Sequence, residues 1–456
     1  MTQRVPGPGR LRFLFELPEV RRNPLAYLCR SVAEYGDIFR IGFGPVTIFV
    51  VNDPEAVNRV LVEKSTEYVK GRSARALSRI LGQGLITSGG ELWRRQRTMI
   101  QPAFQRDFLS GLIGTMTTSV DSMLSGWPAK QGDIGIDMHE EFSRLAIRIV
   151  GKTLFGVDIG DQSSQLTRAF AEANAHADYY VKRVFMLPAW APTPRGLAVQ
   201  RTKRTLRSLV QHIIDEHRKA ERSDLLSLMI EVPDETGQRM SDSQIHDEVL
   251  TMVAAGHETV ANTLTWCFYL LGAHPEIQRK LHTEVAAVLA DRTPTLADLP
   301  KLAYTSSVVQ EAMRLYPPIW SIEREATVDD DLLGHRIPAG SSLALFTYGV
   351  HRHERYWEQP EEFRPERFSP EQSERRPRSI YLPFGAGPRR CIGNNFAMME
   401  AEITLAMVVQ RFWLFPVPNH PVEPEPLISL RPRYGLRMTV EARRGVTTRN
   451  TGSAQV

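Results

Sequence analysis

Phe384-Gly385-Ala386-Gly387-Pro388-Arg389-Arg390-Cys391-Ile392-Gly393 is the stretch on which the reading of this chain turns. Two glycines and a proline ahead of the cysteine exclude regular helix and force a tight loop. Helical periodicity resumes directly afterwards, over Asn394–Phe412. The loop therefore presents the Cys391 sulfur at a helix N-terminus, where unpaired backbone N–H groups and the helix dipole favour thiolate over thiol. A thiolate held in this way is a strong ligand for haem iron, and its electron donation favours O–O cleavage. The plain alternative is a structural cysteine beside a Gly-rich turn, which an isolated Gly-x-Arg-x-Cys would fit equally well.

Around this loop the chain is 456 residues long, enough for two or three ordinary domains or one large single-core enzyme. Lys and Arg number 56 against 52 Asp and Glu, a net charge of +4. With no long basic block, that balance argues against charge-driven binding of nucleic acid. A hydrophobic share of 42% with 24% charged residues is that of a packed globular protein. The three cysteines, Cys29, Cys267 and Cys391, are too scattered for a disulfide framework or a zinc site and point to a reducing, cytoplasmic setting. Met1–Arg12 lacks the apolar core of a secretory signal. Val249–Ala273 is long and mostly apolar. His257, Glu258 and Asn262 near its middle would cost several kcal/mol in a bilayer, so it reads as a buried helix rather than an anchor.

No repeat or flexible linker divides the sequence. Pro6-Gly7-Pro8-Gly9 opens it as a stiff non-helical segment, and Ile38–Gly42 and Val46–Val51 flank Gly44-Pro45 as a hairpin. Asp53-Pro54 reads as an N-cap with proline at the first helical position. Helical patterning then predicts Glu91–Ala103, Phe108–Ser125, His139–Phe155, Gln162–Asp178, Leu197–Ala220, Asp242–Ala273, Pro275–Ala290 and Lys301–Leu315. Strands follow at His335–Pro338 and Ser342–Phe346, joined by Ala339-Gly340, with a last hairpin around Pro432–Gly435. The stretch His351–Pro388 is irregular and too long for an ordinary loop, which marks it as functional.

Phe-x-x-Gly-x-Arg-x-Cys-x-Gly resembles the haem-binding signature of the cytochrome P450 monooxygenases. Trp93-x-x-x-Arg97, Ala255-Gly256-His257-Glu258-Thr259, Glu311-x-x-Arg314 and Pro365-Glu366-Arg367-Phe368 agree with the same family in order and spacing, and the likeness extends over about residues 5 to 442. It implies a mainly α fold with small antiparallel β-sheets, in a single large domain over residues 1–442. Residues 443–456 are expected to form a polar, disordered tail. It implies haem b as cofactor, with Cys391 as its iron ligand and Phe384 and Gly393 shaping the ligand loop. Dioxygen is the implied co-substrate, with electrons drawn ultimately from NAD(P)H through a partner protein.

The other motifs divide by role. Glu311 and Arg314, three apart on a helix, can pair bidentately; the resemblance implies a buried pair completed by Arg367, pinning the irregular stretch beneath the haem. Thr259 can return its hydroxyl to the Ala255 carbonyl and loosen the long helix into a bulge. Gly256 leaves room for close approach to the backbone. By resemblance, Ala255 and Gly256 line the dioxygen groove, Thr259 stabilises the activated oxygen and Glu258 relays protons. His257 is given no role and reads as a core or surface histidine. Trp93, Arg97, Arg389 and Arg324 match positions that hold haem propionates.

Leu85-Ile86, Val253-Ala254, Ile319-Trp320 and Leu430 fall at positions over the haem in the resembled family, and all are apolar, so a small apolar substrate is expected. The absence of Arg or Tyr from Ile41–Val50 tips the expectation from fatty acids toward terpenoids or steroids. Arg94, Arg95 and Arg390 suggest a basic face for a separate ferredoxin- or flavodoxin-type donor. The expected molecule is a soluble, bacterial-type monomer without a transmembrane anchor. Two other readings remain open: a peroxide-driven or isomerase-type haem-thiolate enzyme, and a haem sensor or carrier without turnover.

Overall fold

Asp242–Ala273 forms one unbroken helix of 32 residues, with the bounds read from the sequence. Ser241 and Gln244 close a capping box at its start, each side chain accepting the other's backbone N–H. Val249, Val253, Val260, Leu264, Phe268 and Leu271 are all buried. A helix apolar on most of its faces must be covered on most of its faces, and this one packs against seven other helices.

The structure, a computed structural model, describes residues 5–43, 46–127, 135–181 and 193–443. Among these the helices before the central one are α1 (Arg10–Arg22), α2 (Pro24–Tyr35), α3 (Pro54–Asn58), α4 (Arg72–Leu81), α5 (Gly90–Ile100), α6 (Arg106–Ser110) and α7 (Ile113–Ser125). They are followed by α8 (Met138–Leu154), α9 (Ser163–Val181), α10 (Pro194–His217) and α11 (Leu225–Glu231). The central helix is α12, followed by the longer helices α13 (Pro275–Leu289), α14 (Ala303–Leu315) and α15 (Asn394–Arg411), with short helical turns Thr347–Val350 and Pro370–Arg375 between the last two. Asp53 caps α3 as expected, accepting from the backbone N–H of Glu55 and Ala56. The helix expected over Phe108–Ser125 is instead two pieces, interrupted at Gly111-Leu112. The one expected over Glu91–Ala103 tightens into a 3-10 turn at Gln101–Phe104, where Pro102 has no N–H to continue the α ladder. The polar tail beyond Arg443 lies outside the described residues.

The sheets are small, and one corrects the sequence reading. β1 (Ile38–Phe43) and β2 (Val46–Val51) pair antiparallel, Ile38 opposite Val51, around Gly44-Pro45, which lies outside the described residues. The two strands joined by Ala339-Gly340 do not pair with each other. β7 (His335–Ile337) folds back on β6 (Asp330–Leu332), while β8 (Ser342–Leu345) inserts between β2 and β5 (Ile322–Ala326). β8 runs parallel to β2, and its Leu343 and Leu345 are buried, as an interior strand requires. β3 (Tyr68–Val69) closes the far edge of that five-stranded sheet. At the C-terminus the hairpin is β10 (Pro424–Pro426) with β11 (Leu430–Pro432). The turn at Pro432–Gly435, read from the sequence as a hairpin, instead hands the chain to β12 (Arg437–Ala442) of another sheet, between β9 (Phe412–Pro416) and β4 (Ile136–Asp137).

The irregular stretch is tied down by α14. Glu311 and Arg314 pair bidentately at 2.7 and 2.8 Å, both wholly buried. Arg314 also donates to the carbonyls of His351, Pro360 and Glu362. Glu311 accepts from Arg364 N at 2.9 Å and lies 3.3 Å from Arg367 Nε. One ion pair thus fixes five points of a segment without regular structure. His351 carries the chain of contacts onward: its Nε2 accepts from Leu382 N at 2.8 Å, two residues before Phe384.

Replacing Glu311 with alanine leaves buried guanidinium groups uncompensated and should cost about 3–5 kcal/mol in urea unfolding of the holoprotein. His351 gives a pH signature. Its ring is buried and accepts a backbone N–H, and burial, with the charges of Arg314 and Arg352, pushes its pKa down to about 3. The unfolded chain therefore binds a proton at a pH where the fold does not. The stabilising contribution is complete above about pH 6.5 and is lost as pH falls toward the folded value. Between pH 6 and 4 the wild type should lose about 1.4 kcal/mol per pH unit more than His351→Gln. Parallel stability curves would contradict this.

Candidate active site

Gly385 and Gly387 take φ of +67° and +69°, the left-handed region that glycine adopts freely, and the loop is tight and non-helical as expected. At Gly387 there is a second constraint, because a Cβ there would overlap the Leu61 carbonyl oxygen. The loop is closed by Cys391 N donating to Phe384 O at 2.9 Å, and α15 starts three residues after the cysteine, with Ala397 N on Gly393 O at 2.9 Å. Cys391 remains reachable by solvent, and all three cysteines are free. The thiol corrects one expectation. Although the residue keeps a solvent-facing side, the protein packed around the sulfur desolvates it and raises its pKa, and the Gly393 N–H and the charges of Arg97 and Arg390 only partly oppose this. The polypeptide alone favours the thiol, so a thiolate here calls for a bound cation at the sulfur.

Arg389 stacks on Trp93, its guanidinium carbon 4.2 Å from the ring centre, and donates to Ser88 O at 3.2 Å. Arg97 donates to the Arg390 carbonyl at 2.9 Å, close enough to Cys391 for their charges to interact. Arg324, on β5, is buried and bonds only the Glu323 carbonyl at 2.8 Å. Its neighbour Glu323 favours the charged form through its field but makes no hydrogen bond to it, because that carboxylate caps α4 through Arg72 N and Ser73 N. The sequence reading missed Lys70, just ahead of α4. Burial, and then the charges of Arg324 and Arg389, push its pKa down to about 7. A lone lysine in a turn carries no local signal; only the fold brings it to these arginines. Lys70, Arg324 and Arg389 repel one another with no carboxylate partner among the described residues, a cradle suited to a buried dianion.

In α12 the Thr259 hydroxyl donates to Ala255 O at 2.7 Å, as expected. The expected bulge is absent, for the helix continues unbroken through these residues. Gly256 is required for another reason than ligand approach alone: a Cβ there would lie 2.7 Å from Val150 of α8. Glu258 makes no hydrogen bond with Thr259. Its Oε1 accepts from Asn174 Nδ2 at 2.6 Å and Ser429 Oγ at 2.8 Å. Burial raises its pKa, while Ser429, Arg431 and Asn174 hold it down. His257 is a core residue, packed on Phe170 and kept neutral by burial, which pushes its pKa down to about 3.

The apolar residues separate into two groups. Leu85, Val253 and Leu430 are buried in packed clusters, whereas Ile86, Ala254, Ile319 and Trp320 keep partial exposure. Trp320 Nε1 is committed to Leu427 O at 2.8 Å. Of the three arginines read as a docking face, Arg94 and Arg390 are exposed. Arg95 is not available: it pairs with Asp234 and donates to the carbonyls of Gln238 and Arg239.

Comparison with known proteins agrees with this geometry. The sequence model of the family described as Cytochrome P450 matches residues 5–438. The chain is 34% identical to cyclooctatin synthase of Streptomyces melanosporofaciens, over 96% of this chain and 95% of that protein. It is 33% identical to pentalenene oxygenase of Streptomyces avermitilis, over 96% and 97%. It is also 34% identical to cyclooctat-9-en-7-ol 5-monooxygenase of Streptomyces melanosporofaciens, over 91% and 90%. No helix among the described residues is long and apolar enough to cross a membrane. A glycine-locked cysteine loop, a cation cradle and an acid–threonine helix in one frame, matched over nearly the whole chain, place this protein in the cytochrome P450 family of haem-iron monooxygenases.

Proposed function

We propose that the protein hydroxylates an apolar, terpenoid-type substrate, with Cys391 as the residue that would hold the iron of haem b and electrons delivered by a separate protein. The observation that carries this reading is the cluster Lys70, Arg324 and Arg389, without a hydrogen-bonded carboxylate among the described residues, whose Arg389 stands two residues ahead of the solvent-reachable thiol of Cys391. Two propionates would offset most of that positive charge, and iron would deprotonate the sulfur, so the residues present fit the group. When bound, the haem supplies dioxygen activation and transfer of one oxygen atom into a C–H bond.

The chain supplies the rest. Phe384 O holds the Cys391 amide, and Arg97 and Arg390 place positive charge near the sulfur, which favours its anionic form. Glu258, buried and part-compensated, takes a proton from the solvent side, and Thr259 fixes the last donor near the Ala255 carbonyl. Ile86, Ala254 and Ile319 are apolar and partly exposed, which suits a hydrocarbon skeleton. Two relatives are named for pentalenene and cyclooctat-9-en-7-ol, which supports a cyclic terpenoid over a fatty acid. Arg94 and Arg390 form the exposed basic part of the face beside Cys391, suited to an acidic ferredoxin- or flavodoxin-type donor. The acid–threonine pair favours donor-driven over peroxide-driven turnover.

The reduced protein should give with carbon monoxide the red-shifted Soret band of thiolate ligation, and Cys391→Ser should lose it; an imidazole-like spectrum would reject the assignment. Thr259→Ala should divert electrons to peroxide and lower product formed per electron pair by roughly tenfold, measured as product against donor consumed. Neutralising Arg94 and Arg390 together should slow first reduction at low ionic strength and change little at high ionic strength. Equal slowing at both would move the docking site elsewhere.

A further inference from the structure

Asn174 and Ser429 reach Glu258 from different parts of the fold, the first from α9 and the second from the bend between β10 and β11. Both are buried and both donate to the same oxygen, Oε1. The contacts continue outward: Ser429 Oγ accepts from Asn262 Nδ2 at 3.2 Å, and Asn262 Oδ1 lies 3.0 Å from His139 Nε2. Asn174 is used twice, because its Oδ1 also accepts from Ile428 N at 3.3 Å. On either side of this bend the chain is fixed. Leu427 O accepts from Trp320 Nε1, Leu430 O from Trp266 Nε1, and Leu430 N donates to Pro318 O.

Such a set is no proton wire. An amide passes a proton only through a disfavoured tautomer, and two amides stand in this chain of contacts. What it does fix is which carboxylate oxygen is free. Oε1 already accepts two hydrogen bonds, so a proton has to arrive at and leave from Oε2. Donors to the charged form also counter the burial that would otherwise neutralise the acid.

We infer that Asn174 and Ser429 are positioning residues that hold Glu258 by Oε1 and reserve Oε2 for proton transfer. This rests on the reading of Glu258 as the proton-delivering acid. The other charges bearing on Glu258 are Arg431 of β11, which favours its ionised form, and, at the far end of the contacts, His139 of α8, kept neutral by burial. Ser429→Ala removes neither charge, and Ser429→Thr, which keeps the hydroxyl that Glu258 and Asn262 both use, is its control.

The test is an infrared titration of the holoenzyme, with the Glu258 carboxyl band identified by its loss in Glu258→Gln. Ser429→Ala should raise the pH at half-protonation by about one unit, the loss of one charge-assisted hydrogen bond. Ser429→Thr, which keeps the hydroxyl, should restore the wild-type value. The optimum pH for product formed per electron pair should move with the band, and Ser429→Ala should add nothing in the Glu258→Gln background. The carbon monoxide spectrum reports that each variant is folded and loaded. An unmoved band in folded Ser429→Ala overturns the positioning role. A moved band with coupling unchanged in Glu258→Gln overturns instead the proton-delivery reading on which it rests.

Discussion

Glu311 sits without solvent exposure between Arg314 and Arg367, and the placement of Cys391 depends on that contact. Residues 351–388 contain only short helical turns, so backbone ladders cannot hold them. The guanidinium of Arg314 substitutes for a ladder by taking three carbonyls, and Glu311 takes the Arg364 amide in return. His351 passes the constraint to Leu382, and the loop turns to the cysteine from there. A buried ion pair of this kind adds little to net stability compared with apolar packing, but it is unforgiving of a missing partner. Its effect here is geometric: a long irregular segment acquires one conformation and ends at a sulfur.

The opposite arrangement is found a short way off. At the Glu311 cluster a buried carboxylate bonds Arg314 and lies against Arg367, whereas no carboxylate hydrogen-bonds Lys70, Arg324 or Arg389 among the described residues, and Glu323, whose charge favours that of Arg324, is taken up by the start of α4. Three cations held together without such a partner leave room for an anion. That contrast also accounts for the Cys391 thiol, whose burial disfavours charge until a cation binds it.

How much of this was legible in the sequence follows from the range of each interaction. The Cys391 loop, the Glu311–Arg314 pair, the Thr259 back-bond and the span of α12 are local, and residue spacing alone specified them. Partner choice across the chain was not legible. β8 sits between β2 and β5 because its apolar residues are interior, a fact that no hairpin signal at Ala339-Gly340 conveys. Helices α1, α2, α4 and α11 were passed over; α1 holds Pro18 and exposes Leu11 and Phe15, which removes the apolar stripe that marks a helix. Lys70, Asn174 and Ser429 belong to the site only through tertiary contact, and Arg95 leaves it by the same route, through Asp234. Gly256 was rightly singled out, though Val150 of the neighbouring helix is what a side chain there would strike.

The approach of Gly387 to the Leu61 carbonyl joins two parts of the chain more than 300 residues apart. Leu61 lies in a π-helical turn, Arg59–Glu63, whose backbone is pushed out of ordinary helical register. The two surfaces fit only as a matched pair, since there is no side chain at the contact to adjust. Chimeras between relatives should therefore tolerate crossovers that inherit both segments from one parent. Those that split them would need a coincidence of backbone shape, and recombination among such enzymes is constrained here by carbonyl position rather than by residue identity.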